Sequence, residues 1–413
     1  MQDKDTTIST FTQLFKAVTS FSQSFNQTGV DKYVKKFTAL KFVLLMSFAQ
    51  LKQLKSLRDI SSNLGDEQLA RALELESISA SQISRKQRAD LNSPIETLFY
   101  HLTYRAGIKQ GFNQLRQKLG RLYLIDSTVI SLCLTRYRWA DFRKTKSGVK
   151  MHTRIKLFKD ALLPDAAVIT VAKKADRSQM DQLVVEDTDA FNVFDRAYLD
   201  YHKFDSYCEN KIRFASRLKS NALIEIVSEY PVDPKSPVIK DQKVILGKAG
   251  LTQMKHPLRI IETTDTAGKT VIIVTNDFYL KAEEIADIYR YRWQIELFFK
   301  WIKSHLHVKR FYGTGEQAVA IQLYIALITY CLLTLLKQTA DYDGTLLNFK
   351  RALLTSLYEP FETFVRKLRP KSKRFSRGRR KIDYDLIYQE TVRQVILGEA
   401  DHLDDLTYDP VIL

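Results

Sequence analysis

Glu283–Leu306 reads EEIADIYRYRWQIELFFKWIKSHL, and four of its residues could do chemistry together. Tyr289, Arg292, Glu296 and Lys303 stand at offsets 0, 3, 7 and 14. On one continuous α-helix they share an arc of roughly 60°. Ile288, Ile295, Phe299, Ile302 and Leu306 form an apolar stripe about 100° further round. The spacing predicts that this stripe docks on a core. The other face then presents one carboxylate, two cations and a phenol across a cleft. Such a set suits a hard divalent ion that works beside phosphate. A solvated Glu/Lys/Arg face is the plain alternative, so partners for Glu296 decide between the two.

Two acids stand in apolar, strand-like runs upstream. Asp126 interrupts LYLIDSTVISLCL, and Asp195 follows Val193 and Phe194. A bare carboxylate there is costly without charged or hydrogen-bonded partners. A paired core acid or a turn residue is the ordinary explanation. Two strand-borne carboxylates and one on a later helix can instead hold two divalent ions about 3.5–4 Å apart, ready for in-line attack on a phosphodiester.

These residues need elements to position them. Residues 1–105 read as mainly helical, with Ala39–Leu51 as a long apolar segment. Ser79 to Gln82 carries a capping-box pattern and opens a basic helix with Arg85, Lys86 and Arg88; Ser93-Pro94-Ile95-Glu96 opens the next. This fits either helix-turn-helix DNA reading or a bundle with an exposed basic helix. From Leu122, strand-like runs alternate with a helix near Ser178–Val185. Residues 206–279 read as almost pure β, with turn signals between short runs. The expected fold is α/β, its core at 118–205 and 280–340 interrupted by an antiparallel β insertion at 206–279. An N-terminal helical, DNA-binding domain (1–105) and a C-terminal basic segment with helices (341–413) flank it. A last helix is expected near Tyr384–Leu397.

The formal charge of +17 points to phosphate polymers or anionic membranes as partners. Arg366–Lys381 holds ten basic residues in sixteen and no acid, a pattern suited to tracking a DNA backbone or to a solvated linker. Cys133, Cys208 and Cys331 are distant and odd in number, which argues against a disulfide framework and for a reducing compartment. The polar N-terminus shows no secretory signal. Ala318–Leu336 is long enough to span a bilayer, but Gln322, Thr329 and Thr334 favour a core helix, with no membrane partner.

LIDST around Asp126, FDRAY around Asp195, VTN at Val274–Asn276 and YRYRWQIELFFKWIK together resemble bacterial DDE transposases of the insertion-sequence-four family. The likeness covers about Leu122–Leu336 and implies a ribonuclease H-like catalytic core. It implies that Asp126, Asp195 and Glu296 bind catalytic Mg²⁺, two ions with Mn²⁺ as a substitute. Tyr289, Arg292 and Lys303 would hold phosphates of the transposon end. Trp293 would stack on a displaced base or pack against the insertion, and Arg217 and Lys219 in FASRLKS resemble a DNA-contact motif of the family or form a basic strand edge. The partners implied are the element's inverted-repeat ends and target DNA, bridged by a homodimer, in the cytoplasm and on the nucleoid when bound. The expected activity is strand cleavage followed by strand transfer of the exposed 3′-hydroxyl. A non-catalytic DNA-binding relative and a nuclease without strand transfer are the competing readings.

Overall fold

The β-branched, apolar run from Leu122 forms β1 (Arg121–Leu132), the centre of a mixed sheet. The computed structural model describes residues 8–109, 121–158, 162–264 and 268–369, with residues 389, 390 and 393. The expected helix at Tyr384–Leu397 and most of the basic run at Arg366–Lys381 lie outside the described residues. On one side of β1 lies β3 (Lys146–Leu157), which also pairs with β2 (Asp141–Arg143) and β4 (Leu162–Val171), all antiparallel. On its other side β5 (Ala190–Phe194) and then β6 (Arg213–Arg217) run parallel to it. The order β4-β3-β1-β5-β6, three antiparallel strands followed by two parallel ones, is the ribonuclease H-like arrangement.

The register sets the levels of the acids. Ile125 pairs with Phe194, the last paired position of β1 with β5, so Asp126 and Asp195 stand one step beyond it at the same level. Neighbouring strands lie about 4.8 Å apart. Asp126 is opposite Thr153, while Ser127 is opposite His152 on the other face.

The insertion extends the same sheet. β7 (Ile224–Glu229), β8 (Val238–Leu246), β9 (Leu258–Thr264) and β10 (Thr270–Thr275) form an antiparallel run whose inner edge, β10, pairs with β6. The boundary expected at residue 206 falls inside a helix, Tyr201–Glu209. Because β6 is the fifth core strand, the antiparallel extension begins after Arg217.

Seven helices among the described residues precede β1: α1 (Thr10–Thr19), α2 (Ser22–Gln27), α3 (Ala39–Lys52), α4 (Leu57–Asn63), α5 (Glu67–Leu73), α6 (Ala80–Gln87) and α7 (Asn92–Lys109). Ser79 and Gln82 close the expected capping box on α6. α7 opens at Asn92 rather than after a Ser93 cap, which leaves Pro94 in the first turn, where its missing N–H costs nothing. Later helices are α8 (Met180–Leu183), α9 (Tyr201–Glu209), α10 (Ala282–Arg290), α11 (Trp293–His305), α12 (Glu316–Thr339), α13 (Leu346–Thr355) and α14 (Phe361–Leu368). α12 is the buried axis of the molecule. It packs on α3, α7, α13 and β4, and the N-terminal helices share one continuous apolar core with it. Its polar residues are satisfied inside the protein. The Gln322 amide bonds His307 O, Arg310 O and Tyr312 N, and Thr329 and Thr334 donate to carbonyls one turn back. The apolar run is therefore a core helix, as its polar interruptions suggest.

A buried ionic lock ties the insertion to the helices that follow. Arg259 on β9 forks onto Asp241 of β8 at 2.8 and 2.7 Å and donates to Leu280 O at 2.6 Å. Asp277 accepts the N–H groups of Tyr279 and Leu280, and Arg213 of β6 at 2.9 Å. Ser236 donates to Glu283 in the first turn of α10. The insertion thus fixes where α10 starts. Arg259→Met should cost about 3–5 kcal/mol, since it strands Asp241 in the interior. The double variant Arg259→Met, Asp241→Leu should recover most of that loss in urea unfolding. Equal losses in the single and double variants would contradict the lock.

Candidate active site

The signature segment is two helices, not one. Bonds of the i to i−3 type, Arg292 N–H to Tyr289 O at 3.1 Å and Ile295 N–H to Arg292 O at 3.2 Å, tighten the backbone between α10 and α11. Neither glycine nor proline marks the spot. The apolar stripe still docks: Ile288, Ile295, Phe299, Ile302 and Leu306 are all buried. The polar residues, however, do not line one exposed face. Tyr289 at the end of α10 is buried, and Arg292 caps α11 with its guanidinium 5.9 Å from the Tyr289 ring centre.

α11 lies along β1, and Arg292 joins them. Its Nη1 donates to Asp126 Oδ2 at 3.2 Å and to Glu296 Oε1 at 2.7 Å. Asp126 Oδ1 also accepts the Ser127 N–H at 2.7 Å. Burial pushes the Asp126 carboxyl up to about 7, and Asp195 and Glu296 add to the rise; the Ser127 N–H and Arg292 pull against it. Asp195 sits half-buried just past β5, close enough to act on both Asp126 and Tyr289. The three acids thus share one electrostatic neighbourhood. They do not form a closed metal cage: among the described residues no group of three His, Cys, Asp or Glu side chains is arranged to hold an ion. A guanidinium supplies the positive charge between Asp126 and Glu296. The donor set itself, carboxylate oxygens only, fits a hard divalent cation.

The remaining expected residues divide. Lys303 Nζ donates to Val129 O at 3.1 Å, and burial followed by Lys309 lowers its pKa. It lines a cleft of about 620 Å³ with Asp126, Glu296, Lys300 and Lys309. Arg217 at the end of β6 is near enough to act on Tyr289. Lys219 is exposed just beyond that strand. Trp293 is 56% exposed on α11. Burial raises the Tyr289 phenol to about 12, and its hydroxyl, like Arg292 Nε, is buried with no hydrogen-bond partner. On the basic helix α6, Arg85 is exposed, as is Arg88 at its C-cap, but Lys86 turns inward to Asp31 at 2.8 Å.

One acid escaped the sequence reading. Asp176 accepts the Ser127 hydroxyl at 2.5 Å and Lys150 Nζ at 3.2 Å, with His152 Nδ1 at 3.3 Å. Burial would raise its pKa, but His152, Ser127 and Lys150 outweigh burial and hold it near 2. Asp176 therefore fixes the side chain of the residue whose N–H orients Asp126. Its only sequence signal is the alternation Lys150, His152, Arg154 on β3, a row of cations that needs buried acids opposite.

A sheet of this order, with acids level on adjacent parallel strands and a third on the helix facing them, has the ribonuclease H-like fold. Residues 117–332 match the family model described as Transposase DDE domain, and residues 5–70 match a Domain of unknown function (DUF4372). The chain belongs to the DDE transposases. A Sinorhizobium fredii protein named as transposase y4zB is 32% identical over 251 residues, covering 59% of this chain and 68% of that protein. A Geobacillus stearothermophilus protein named as transposase for insertion sequence element IS5377 is 33% identical over 235 residues, covering 55% and 60%. A Synechocystis protein named as transposase for element IS4SA is 27% identical over 272 residues, covering 64% and 72%. The protein is thus a DNA transposase, a polynucleotidyl transferase that acts on DNA and depends on divalent metal.

The Asp176 network sets a pH-dependent term in stability. A carboxyl held below its ordinary value stabilises the fold above the unfolded pKa, and that gain fades as pH falls toward the folded value. Asp176→Asn should therefore lower stability by about 2 kcal/mol at pH 7. Thermal melts should show the gap narrowing below pH 4; a gap independent of pH would contradict the network.

Proposed function

We propose that Asp126, Asp195 and Glu296 are the acids that hold the divalent ions, two Mg²⁺ in the cell with Mn²⁺ as a substitute. The observation that carries this reading is the shared Nη1 of Arg292, which draws the strand-borne Asp126 and the helix-borne Glu296 to one cationic point. The matched register of Asp126 and Asp195 supports the third member. When bound, the ions supply Lewis-acid polarisation of the phosphodiester and activation of the attacking oxygen.

The chain's own residues bind and orient the DNA. Tyr289 and Arg292 bring two buried, unpartnered donors, the phenol and Nε, to the site; both suit phosphate oxygens of the element end. Lys303 and Lys309 add point charges along the cleft wall, and Arg217 adds one near Tyr289. Trp293, exposed on α11, is free to meet a base, and Lys219 to meet a backbone phosphate. The acids in the cleft select the cut site, while the cations hold the strand in line. Water attacks first and frees a 3′-hydroxyl; that hydroxyl then attacks target DNA. A homodimer bridging two inverted-repeat ends would couple both reactions, on the nucleoid in the cytoplasm.

Glu296→Gln should abolish Mg²⁺-dependent cleavage of a duplex carrying the element end, by about 10³-fold or more. DNA binding in the absence of metal should survive. Gel analysis of cleavage and strand-transfer products checks both steps. Cleavage at the wild-type rate would remove Glu296 from the site; cleavage without any joined product would reduce the protein to a nuclease.

A further inference from the structure

The stretch between α2 and α3 reads GVDKYVKKF, Gly29–Phe37, and lies within the matched domain of unknown function. All five residues from Lys32 to Lys36 are exposed. Tyr33 is 88% exposed, its φ is +65°, and Lys32 Nζ lies 5.3 Å from its ring centre. An exposed tyrosine alone is ordinary. Left-handed backbone at a tyrosine is uncommon and persists only where the surroundings impose it; Gln53 and Glu74, which share it, are helix C-caps, whereas Tyr33 sits in a loop.

The surroundings do impose it. Asp31 accepts the Ala39 N–H at the start of α3 with both oxygens, at 2.8 and 2.9 Å, and Lys86 Nζ of α6 at 2.8 Å. That ion pair is nearly buried, with side-chain exposures of 10% and 11%. Phe37 is buried edge-on against Phe42, and Lys36 Nζ reaches Ser77 Oγ at 3.2 Å. Two turn bonds, Lys32 N–H to Gly29 O and Val34 N–H to Asp31 O, shape the tip. The segment is anchored at both ends and holds an aromatic ring outward that gains little inside the fold.

Its charge pattern identifies the partner. The one acid in the stretch is consumed by Lys86 and the α3 N-terminus, so Lys32, Lys35 and Lys36 face outward without an opposing carboxylate among them. The same latch holds the loop to α6, whose exposed Arg85 and Arg88 flank Lys86 in sequence. We propose that the Lys32–Lys36 loop, latched to α6 by Asp31–Lys86, is a DNA-gripping element: the lysines track the phosphate backbone and the Tyr33 ring presses on sugars or bases between them. This rests on DNA being the substrate, and it gives the domain of unknown function a role separate from the catalytic cleft. Lys86 acts as the latch that sets the loop, not as a direct contact.

The test uses the full chain without divalent metal. The probes are a duplex carrying the terminal sequence that flanks the gene and a scrambled duplex of equal length. The triple variant Lys32→Gln, Lys35→Gln, Lys36→Gln should flatten the log–log salt dependence of affinity by about 2–3. Tyr33→Ala should weaken binding about tenfold with the salt slope unchanged, because a stacking or packing contact is not ionic. Tyr33→Gly should bind as weakly as Tyr33→Ala while melting no lower than wild type, since glycine adopts the left-handed backbone freely; this separates lost grip from lost folding. Wild-type affinity and slope in all three variants would overturn the loop's role and leave the transposase reading standing. A loss confined to the lysine variant would overturn the part assigned to Tyr33. Changed self-association with unchanged DNA binding would make the loop a protein contact and overturn the proposal. No DNA retention by the wild type would overturn both readings.

Discussion

A carboxylate in the middle of a buried strand must be balanced by positive charge, and Asp126 is balanced by Arg292. That single demand organises the site. Arg292 can meet Asp126 only if α11 lies along β1, and α11 lies there because its apolar stripe is buried behind it. The tight turn at Tyr291 and Arg292 swings the guanidinium to a point where it also meets Glu296. Burial of Asp126 and the like charges of Asp195 and Glu296 push its carboxyl up against the pull of Arg292, and the divalent ions proposed for these acids would offset that repulsion.

The scaffolding works from a distance. The Arg259–Asp241 pair, with Asp277 and Arg213, joins β8, β9, β6 and the approach to α10, so the insertion fixes the origin of the helix pair that carries Arg292 and Glu296. From behind β1, Asp176 holds Ser127, whose N–H faces Asp126. α12 backs the assembly: Tyr324 and Tyr330 donate to Ala167 O and Leu162 O of β4, tying the core helix to the far edge of the sheet.

Much of this was legible in the chain, and the exceptions have physical reasons. The apolar stripe of α11 and the capping box of α6 are local patterns, and both appear as expected. The α10–α11 break was not legible, because a turn made by i to i−3 bonds requires no special residue. β6 reads like its antiparallel neighbours; only its parallel pairing with β5, a long-range fact, assigns it to the core. Asp176 was missed because its partners Lys150, His152 and Ser127 lie on β3 and β1, far from it in sequence. Lys86 looked like its neighbours Arg85 and Arg88, yet burial of Asp31 claimed it. The three acids proposed for the site stand out only through the order and spacing that resemble a family; strand-borne acids alone are common.

The most direct test of the central claim is Mn²⁺ binding to the DNA-bound chain followed by electron paramagnetic resonance. The account predicts that the wild type binds Mn²⁺ tightly and that Asp126→Asn, Asp195→Asn and Glu296→Gln each weaken binding markedly while DNA remains bound. Mn²⁺ affinity and spectra unchanged in all three variants would contradict it.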